Sequence, residues 1–540
     1  MFAQLLTPVG DSLALSSLVA SLPVLTVLIL LGVLRRPAWQ AALAGLLVGV
    51  VIAVGPWHMP IALAVAATSN GAVFALWPVM WIVVNALLLY NIAVRSGRAD
   101  AFRRWIIGNL PDDRRVVLVV LGFCFGALIE GISGFGTPVA ITSSLLIMVG
   151  FPAIEALVFV LIFNTAPVAF GALGAPVTVL GAVTGLPAAT LGAMIGRQLP
   201  VMAVVLPFYV MSLYAGWRSV RALLPVLLVA GLSFGLSQFL ASNFIDYTLA
   251  DVLSSLGSLL ATVTFLKFWQ PAVDPHFSLR EAQAARATSS SSAPPWQGWL
   301  PWIIVSATVV IWSSLKIAAI GQMNISWPGL HKAISITLYH DKPYAAIWQF
   351  QPLGTGTAIL LAAVLTALVV RLSTRDFLAC VVDTVGQIWL AIVTVMLIVA
   401  LAYLMNYSGL AYTLGQGAAS SGRLFILFSP FLGWVAVLLS GSDTSGNALF
   451  GNLQVVAARQ LGLNPVLFAA TNSSGGVMGK MVSPQNIATG ASVTNLKGRE
   501  GEVFARTFIH SIALTVMLAI LVLVQQYWIP GVIPTVPAAP

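Results

Sequence analysis

Three charged residues stand in places where an apolar chain should not hold charge. Glu130 follows "VVLVVLGFCFGALI", Asp443 lies in "LLSGSDTSGNALFGN", and Lys480 lies in "GGVMGKMVSPQN". The uncharged run before Glu130 is 14 residues long, a reach of roughly 21 Å at the helical rise. Ionisable groups that deep in an apolar segment are expensive to keep and are functional candidates by default. A carboxyl beside a partly wet cavity can take up and release a proton, so Glu130 and Asp443 are the candidate proton-coupling groups. The plain alternative is a permanent ion pair, or a neutral acid that satisfies backbone donors. Lys480 has three readings: attracting a substrate carboxylate, pairing with Asp443 or Glu130, or snorkelling to an interface. Around these charges lie neutral donors and small residues: Ser133, Gly134, Asn164, Thr165, Ser442, Thr444, Ser445, Asn472 and Ser473. That set suits a small carboxylate carrying a hydroxyl. Any single hydroxyl is better explained by bridging between packed membrane helices, but four clusters at repeat-related positions favour a binding site.

The elements that position these groups follow from composition. The chain has 540 residues, 59% of them hydrophobic and only 8% charged, against about 25% charged in soluble domains. Apolar runs near the ~20 residues needed to span a bilayer recur along the chain. The expected fold is an all-α polytopic membrane protein with about 12 to 14 segments. The first run, Ser12 to Leu34, lacks a preceding Lys or Arg and exceeds a signal-peptide core, so it is read as helix 1. Trp57, Trp105, Trp299 and Trp528 fall near segment ends, as interfacial anchors do. Cys124 and Cys380 sit in apolar surroundings and suggest neither a disulfide framework nor a metal site. The net charge of +9 falls at the ends of apolar runs, where the positive-inside effect accounts for it, so no nucleic-acid partner is expected. Basic residues at Arg35, Arg36 and between Arg95 and Arg115 place those loops in the cytoplasm and the N-terminus outside.

A polar stretch, 269–298, divides the chain into a first half, 1–268, and a second, 299–530, followed by a tail, 531–540. The halves share landmarks. Ser96, Gly97 and Gly134 recur 312 residues later as Ser408, Gly409 and Gly446, and Asn164, Gly171 and Pro176 recur 308 later as Asn472, Gly479 and Pro484. Counting crossings makes the repeats inverted, a recurrent construction of secondary transporters with the site at the midplane between broken helices. The expected breaks fall at Gly131 to Pro138, in "SGSDTSGN", at Pro167, and at the Gly475-Gly476 pair. New helix N-termini at such breaks attract anions. Arg197 and Arg459 read as markers of helix ends, Glu155 as an interfacial acid, and His510 as a packed or hydrogen-bonded histidine outside the site. No nucleotide, dinucleotide, metal or nucleophile motif is present, so no cofactor beyond a coupling proton and no enzymatic activity are expected.

The strings "GFCFGALIEGISGFGTPVAI", "NTAPVAFGALG", "GRQLP", "SNF", "FSPFLGW", "GSDTSGNALFGNLQ" and "GGVMGKMVSPQNIA" resemble, in order and along nearly the full chain, the bacterial L-lactate permease family. The resemblance implies a multi-pass protein of the cell inner membrane that imports L-lactate, and in some members D-lactate or glycolate, with protons. Glu130, Asp443, Asn472 and Lys480 occupy the shared motif positions. Ser133 and Thr137 stand where the family pattern has alanine, and Gly446 where it has serine, which leaves the preferred 2-hydroxy acid open. The alternatives are a sodium-coupled carboxylate transporter, a passive anion channel and a membrane-embedded enzyme. An elevator displacement is favoured over rocking by analogy with other transporters that carry paired re-entrant elements. The oligomeric state is not legible in the sequence.

Overall fold

The computed structural model describes residues 1–34, 36–133, 137–272, 274–278 and 294–536. Gly134, the side chain of Ser133 and most of the 269–298 linker lie outside the described residues. Among those described, nine helices are long and apolar enough to cross a membrane, ten if the bent pair Ala153–Phe163 and Val168–Thr184 counts as one span; Ala38–Val54, Pro138–Met148 and Thr355–Val369 are shorter apolar helices. The protein is therefore a helical, multi-pass membrane protein.

Several elements depart in detail from their sequence reading. The third apolar run is a 35-residue stretch, Ile61–Arg95, interrupted at Trp77, where the backbone leaves helical angles before Pro78. Proline removes a helical hydrogen bond and disfavours helix at the residue before it. Trp57 is fully buried, so it packs the interior instead of anchoring at an interface. Arg197 lies well inside the Ala188–Ala222 helix, where its guanidinium donates to Asn243 Oδ1 at 2.8 Å and to the Val532 carbonyl at 2.6 Å. Between the Leu300–Ser314 and Thr355–Val369 helices the chain forms short strands. Met323–Ser326 pairs antiparallel with Ile347–Phe350, and Ile334–Ile336 pairs with both Lys342–Pro343 and the N-terminal Phe2–Ala3. Gln4, next to that N-terminal strand, donates to the Asn406 and Tyr407 carbonyls at 2.8 and 3.0 Å. It thereby satisfies acceptors at the end of the Thr374–Ser408 helix, where no intrahelical donors remain.

Element order repeats along the two halves. Trp81–Arg95, Arg98–Gly108, Gly126–Ser133 with Thr137–Met148, and Ala153–Phe163 are followed by Gly171–Thr184 and the long Ala188–Ala222 helix. The later series is Thr374–Ser408, Leu410–Ala419, Phe425–Ser440 with Asp443–Gln460, Pro465–Lys480, Pro484–Val493 and Glu500–Tyr527. The fourth break is displaced: Pro465–Lys480 is one continuous helix, and Gly475-Gly476 does not interrupt it. These glycines serve close packing instead. A Cβ on Gly475 would overlap the Pro430 carbonyl, one on Gly479 the Trp434 carbonyl, and one on Gly433 the Asn472 carbonyl. Small residues spaced four apart let two membrane helices approach backbone to backbone, here Pro465–Lys480 on Phe425–Ser440.

Two large apolar cores result among the described residues, beside a small cluster of Ile336, Tyr412 and Val456. One includes Phe123, Phe163, Phe234 and Phe468, and the other gathers Val24, Ile52, Met80 and Leu401 from the early helices and the Thr374–Ser408 helix. The Gly171–Thr184 helix lies on their seam, giving Leu173 and Val177 to the first and Ala172 and Val179 to the second.

Candidate functional site

A cavity of about 50 Å³ opens at this seam, lined by Glu130, Val168, Gly171, Ala172, Pro176, Gly441, Ser442, Asp443, Thr444, Lys480, Gln485 and Asn486. That volume holds a few water-sized groups, the scale of a small molecule. Three helices begin at it: Asp443–Gln460, Pro484–Val493 and the right-handed part of Gly171–Thr184, which starts after Gly174, beside Pro176 of the lining. Each carries partial positive charge on unsatisfied N–H groups. The convergence makes an anion-binding environment before any side-chain charge is considered.

Lys480, the last residue of its helix, supplies the formal charge. Its Nζ donates to Glu130 Oε1 at 2.7 Å, and both side chains are nearly buried, at 7% and 3% exposure. Glu130 Oε2 accepts from Asn164 Nδ2 at 3.0 Å, so both carboxylate oxygens have partners. The acid comes from the first half and the base from the second, 350 residues apart. Gly171 makes the approach possible, because a Cβ there would stand 2.8 Å from Glu130 Oε1. Its neighbours Ala172, Leu173 and Gly174 all adopt left-handed angles, with φ of 46°, 53° and 78°. For the two non-glycine residues that conformation costs roughly 1–2 kcal/mol each, and the strained turn feeds Gly171 and Ala172 into the cavity wall.

Asp443 opens the Asp443–Gln460 helix, and Ser442 caps it by accepting from the Ser445 backbone N–H at 3.4 Å. An acid in the first turn complements the helix dipole. Asp443 Oδ2 accepts from Ser473 Oγ at 2.5 Å and from Asn447 Nδ2 at 3.1 Å, while Oδ1 accepts no hydrogen bond among the described residues. Asn472 stands one layer further back, donating to Asn447 Oδ1 at 3.0 Å and accepting from Gln454 Nε2 at 3.3 Å.

Of the residues singled out in the sequence, Glu130, Ser442, Asp443, Thr444 and Lys480 thus line one cavity. Asn164, Asn472 and Ser473 buttress its acids from behind. Thr165 turns back to the Ile162 carbonyl at 2.7 Å, and Ser445 is buried without lining the space. His510 is not among the lining residues and shares a hydrogen bond with Tyr209 Oη at 2.6 Å. Gln485 and Asn486 were not singled out, although they sit in the quoted string "SPQN". Asn486 donates to the Gly441 carbonyl at 3.0 Å, tying its helix to the turn before Asp443.

The L-lactate permease model matches residues 16–529. The chain belongs to the L-lactate permease family. It is therefore a membrane transport protein, and a permease is not an enzyme. An L-lactate permease of Bacillus subtilis is 38% identical, covering 99% of this chain and 100% of the relative. The L-lactate permease of Escherichia coli K12 is 39% identical with the same coverage. The glycolate permease GlcA of Escherichia coli K12 is 38% identical over 98% of this chain and 99% of its own. Among solved structures, Neisseria gonorrhoeae MtrF, described as illuminating a class of antimetabolite efflux pumps, aligns with a TM-score of 0.52 at 13% identity. It covers 95% of this chain and 99% of its own, so the likeness concerns the fold alone.

Proposed function

We propose that the protein imports L-lactate, with D-lactate and glycolate as further substrates, across the bacterial inner membrane by proton symport. The observation that carries this reading is the Lys480–Glu130 pair in a small cavity lined by three helix N-termini. A lactate carboxylate entering the cavity competes with Glu130 for Lys480. If it wins without a proton, Glu130 is left charged and unpaired, and stranding one member of a buried pair costs about 3–5 kcal/mol. If Glu130 is protonated as lactate binds, Lys480 keeps an anionic partner and no charge is stranded. The cavity then carries the same net charge empty, as Lys480 with ionised Glu130, and loaded, as Lys480 with lactate and neutral Glu130. Equal charge in the two states removes an electrostatic difference between the outward journey and the return, and it makes lactate without a proton the unfavourable cargo. Ser442, Thr444, Gln485 and Asn486 offer the lactate hydroxyl its partners. Asp443, held by Ser473 and Asn447 on one oxygen and free of partners on the other, is the second candidate for proton coupling. The inverted repeats, 1–268 and 299–530, would move the site between the two sides by an elevator displacement along the seam of the two cores.

The test is uptake of labelled L-lactate into proteoliposomes with an imposed pH gradient. Wild type should accumulate lactate only when the interior is alkaline, and Glu130→Gln should lose accumulation while measurable counterflow remains. If Glu130→Gln and Asp443→Asn both still concentrate lactate, neither acid couples the proton and the reading fails.

A further inference from the structure

Asp251 opens the helix Ala250–Phe268 and is completely buried. Among the described residues neither of its carboxylate oxygens accepts a hydrogen bond of normal geometry, and the Gln238 amide is the polar group beside them. Buried polar atoms are nearly always paired, and each exception asks for an explanation; a charged carboxylate in that condition would be prohibitively costly. The residue packs against the helical turn that carries the acid of the cavity. A Cβ on Gly131, the residue after Glu130, would lie 2.7 Å from the Asp251 Cβ. Glu130, Lys480 and Gln238 are the charged and polar side chains within its electrostatic reach. Gln238 donates to the Ala166 carbonyl at 3.0 Å, leaving its Oε1 without a partner. A proton on Asp251 removes the buried charge and can be donated toward that oxygen. Nearby ionisable groups are engaged elsewhere, Cys124 with Ser258, Tyr247 with Thr178, and Asp246 with Thr248 and Ser313.

We propose that Asp251 is a proton-relay residue that delivers the coupling proton to Glu130 from the side opposite the substrate. The inference rests on the proton-symport reading above and adds the route. Lactate seated on Lys480 fills a cavity of only about 50 Å³ and so closes the cavity-side approach to Glu130. A proton then has to reach or leave Glu130 from behind, where Asp251 holds one. The two carboxyls share no hydrogen bond with each other, so the transfer runs through one intervening water: the O–H bond of Asp251 breaks as an O–H bond forms on the water, an O–H bond of the water breaks as one forms on Glu130, and Asp251 regains a proton from solvent when the carrier opens. An aspartate held permanently neutral would offer nothing beyond an asparagine of the same shape, which is why the relay is testable by that replacement.

Asp251→Asn should lower net lactate uptake driven by a pH gradient more than tenfold, while lactate counterflow, which needs no net proton movement, falls less than threefold; Asp251→Glu should restore part of the net uptake. Net uptake by Asp251→Asn at the wild-type rate overturns the relay, as does equal loss of both activities in folded protein. If the Asn variant does not insert, labelling of wild type with a hydrophobic carbodiimide, which attacks protonated carboxyls, decides: modification of Asp251 that falls as pH rises supports the relay, and absent or pH-independent modification overturns it. Wild type that fails to accumulate lactate under a pH gradient would sink the symport reading itself, whereas an active Asp251→Asn beside an inactive Glu130→Gln would sink the relay alone.

Discussion

Replacing Glu130 by glutamine isolates the step on which coupling depends. In wild type, lactate takes Lys480 from Glu130, a pair held at 2.7 Å and almost fully buried. Leaving the glutamate charged costs about 3–5 kcal/mol, so lactate bound without a proton is weaker by about two to four orders of magnitude. Binding must therefore take up one proton wherever Glu130 is ionised in the empty carrier. The loaded state then holds one more proton than the empty one, so affinity rises as pH falls, by about tenfold per pH unit, or about 1.4 kcal/mol. A glutamine in place of Glu130 has the shape of the protonated acid, can still accept from Asn164, and has no charge to strand. The lactate Kd of Glu130→Gln should be flat over the same pH range and should equal the wild-type value extrapolated to low pH. Calorimetric titration of the purified protein in detergent, in buffers of differing ionisation heat, gives both the Kd slope and the proton count. A Glu130→Gln variant that keeps the tenfold slope, or a wild type that binds lactate with no proton uptake, refutes the exchange of partners at Lys480.

Other variants probe how the site is held. Gly475→Leu drives a side chain into the Pro430 carbonyl and should abolish folded protein, as read by size-exclusion chromatography; a monodisperse product would show that the two helices can separate without loss. Ser473→Ala removes the shortest bond to Asp443, a charge-assisted type worth about 1.5–3 kcal/mol, and should lower the thermal midpoint, whereas an unchanged midpoint would mean Asn447 alone suffices. Ala172→Gly relieves a left-handed residue and should raise stability by about 1–2 kcal/mol, measured as a higher thermal midpoint.

The charged residues of the site were legible because charge is conspicuous inside apolar runs, and the break before Asp443 was legible because serine, glycine and aspartate cluster there. The break assigned to Gly475-Gly476 was not, because glycine serves both a broken helix and a close crossing of two intact ones. Only the neighbouring backbone of Pro430 and Trp434 distinguishes these uses. Asp251 was illegible for a related reason. In "YTLADVLSS" it reads as an ordinary acid in a first helical turn, and nothing local reveals that this helix starts against Gly131 and not at the membrane surface. The strands between 323 and 350 are short, with Ile334–Ile336 buried throughout and the others mostly exposed, so they lack the length and clean alternation that announce a strand. Of the donor set, Thr165 carries the same hydroxyl chemistry as Thr444, yet Thr165, in the turn after Ala153–Phe163, gives its hydroxyl to the Ile162 carbonyl, while Thr444, in the first turn of Asp443–Gln460, lines the cavity.

The two halves share an element order but differ in charge where it matters. At the spacing that relates Asn164 to Asn472, Lys480 corresponds to Ala172, and both line the cavity. A site with lysine at both positions would hold two positive charges and favour a dicarboxylate; one lysine matches one carboxylate. Lys480 therefore has two separable roles, neutralising Glu130 and recognising the anion, and variants can pull them apart. Lys480→Met alone strands Glu130 and should destabilise the protein by about 3–5 kcal/mol. Adding Glu130→Gln removes the stranded charge, so the double variant should recover most of that loss, because replacing both members of a buried pair by neutral groups is often close to neutral. Recognition should not recover with it. If the stable double variant still binds lactate within tenfold of wild type by calorimetry, the helix N-termini suffice for the anion and Lys480 serves only as the counter-charge of Glu130.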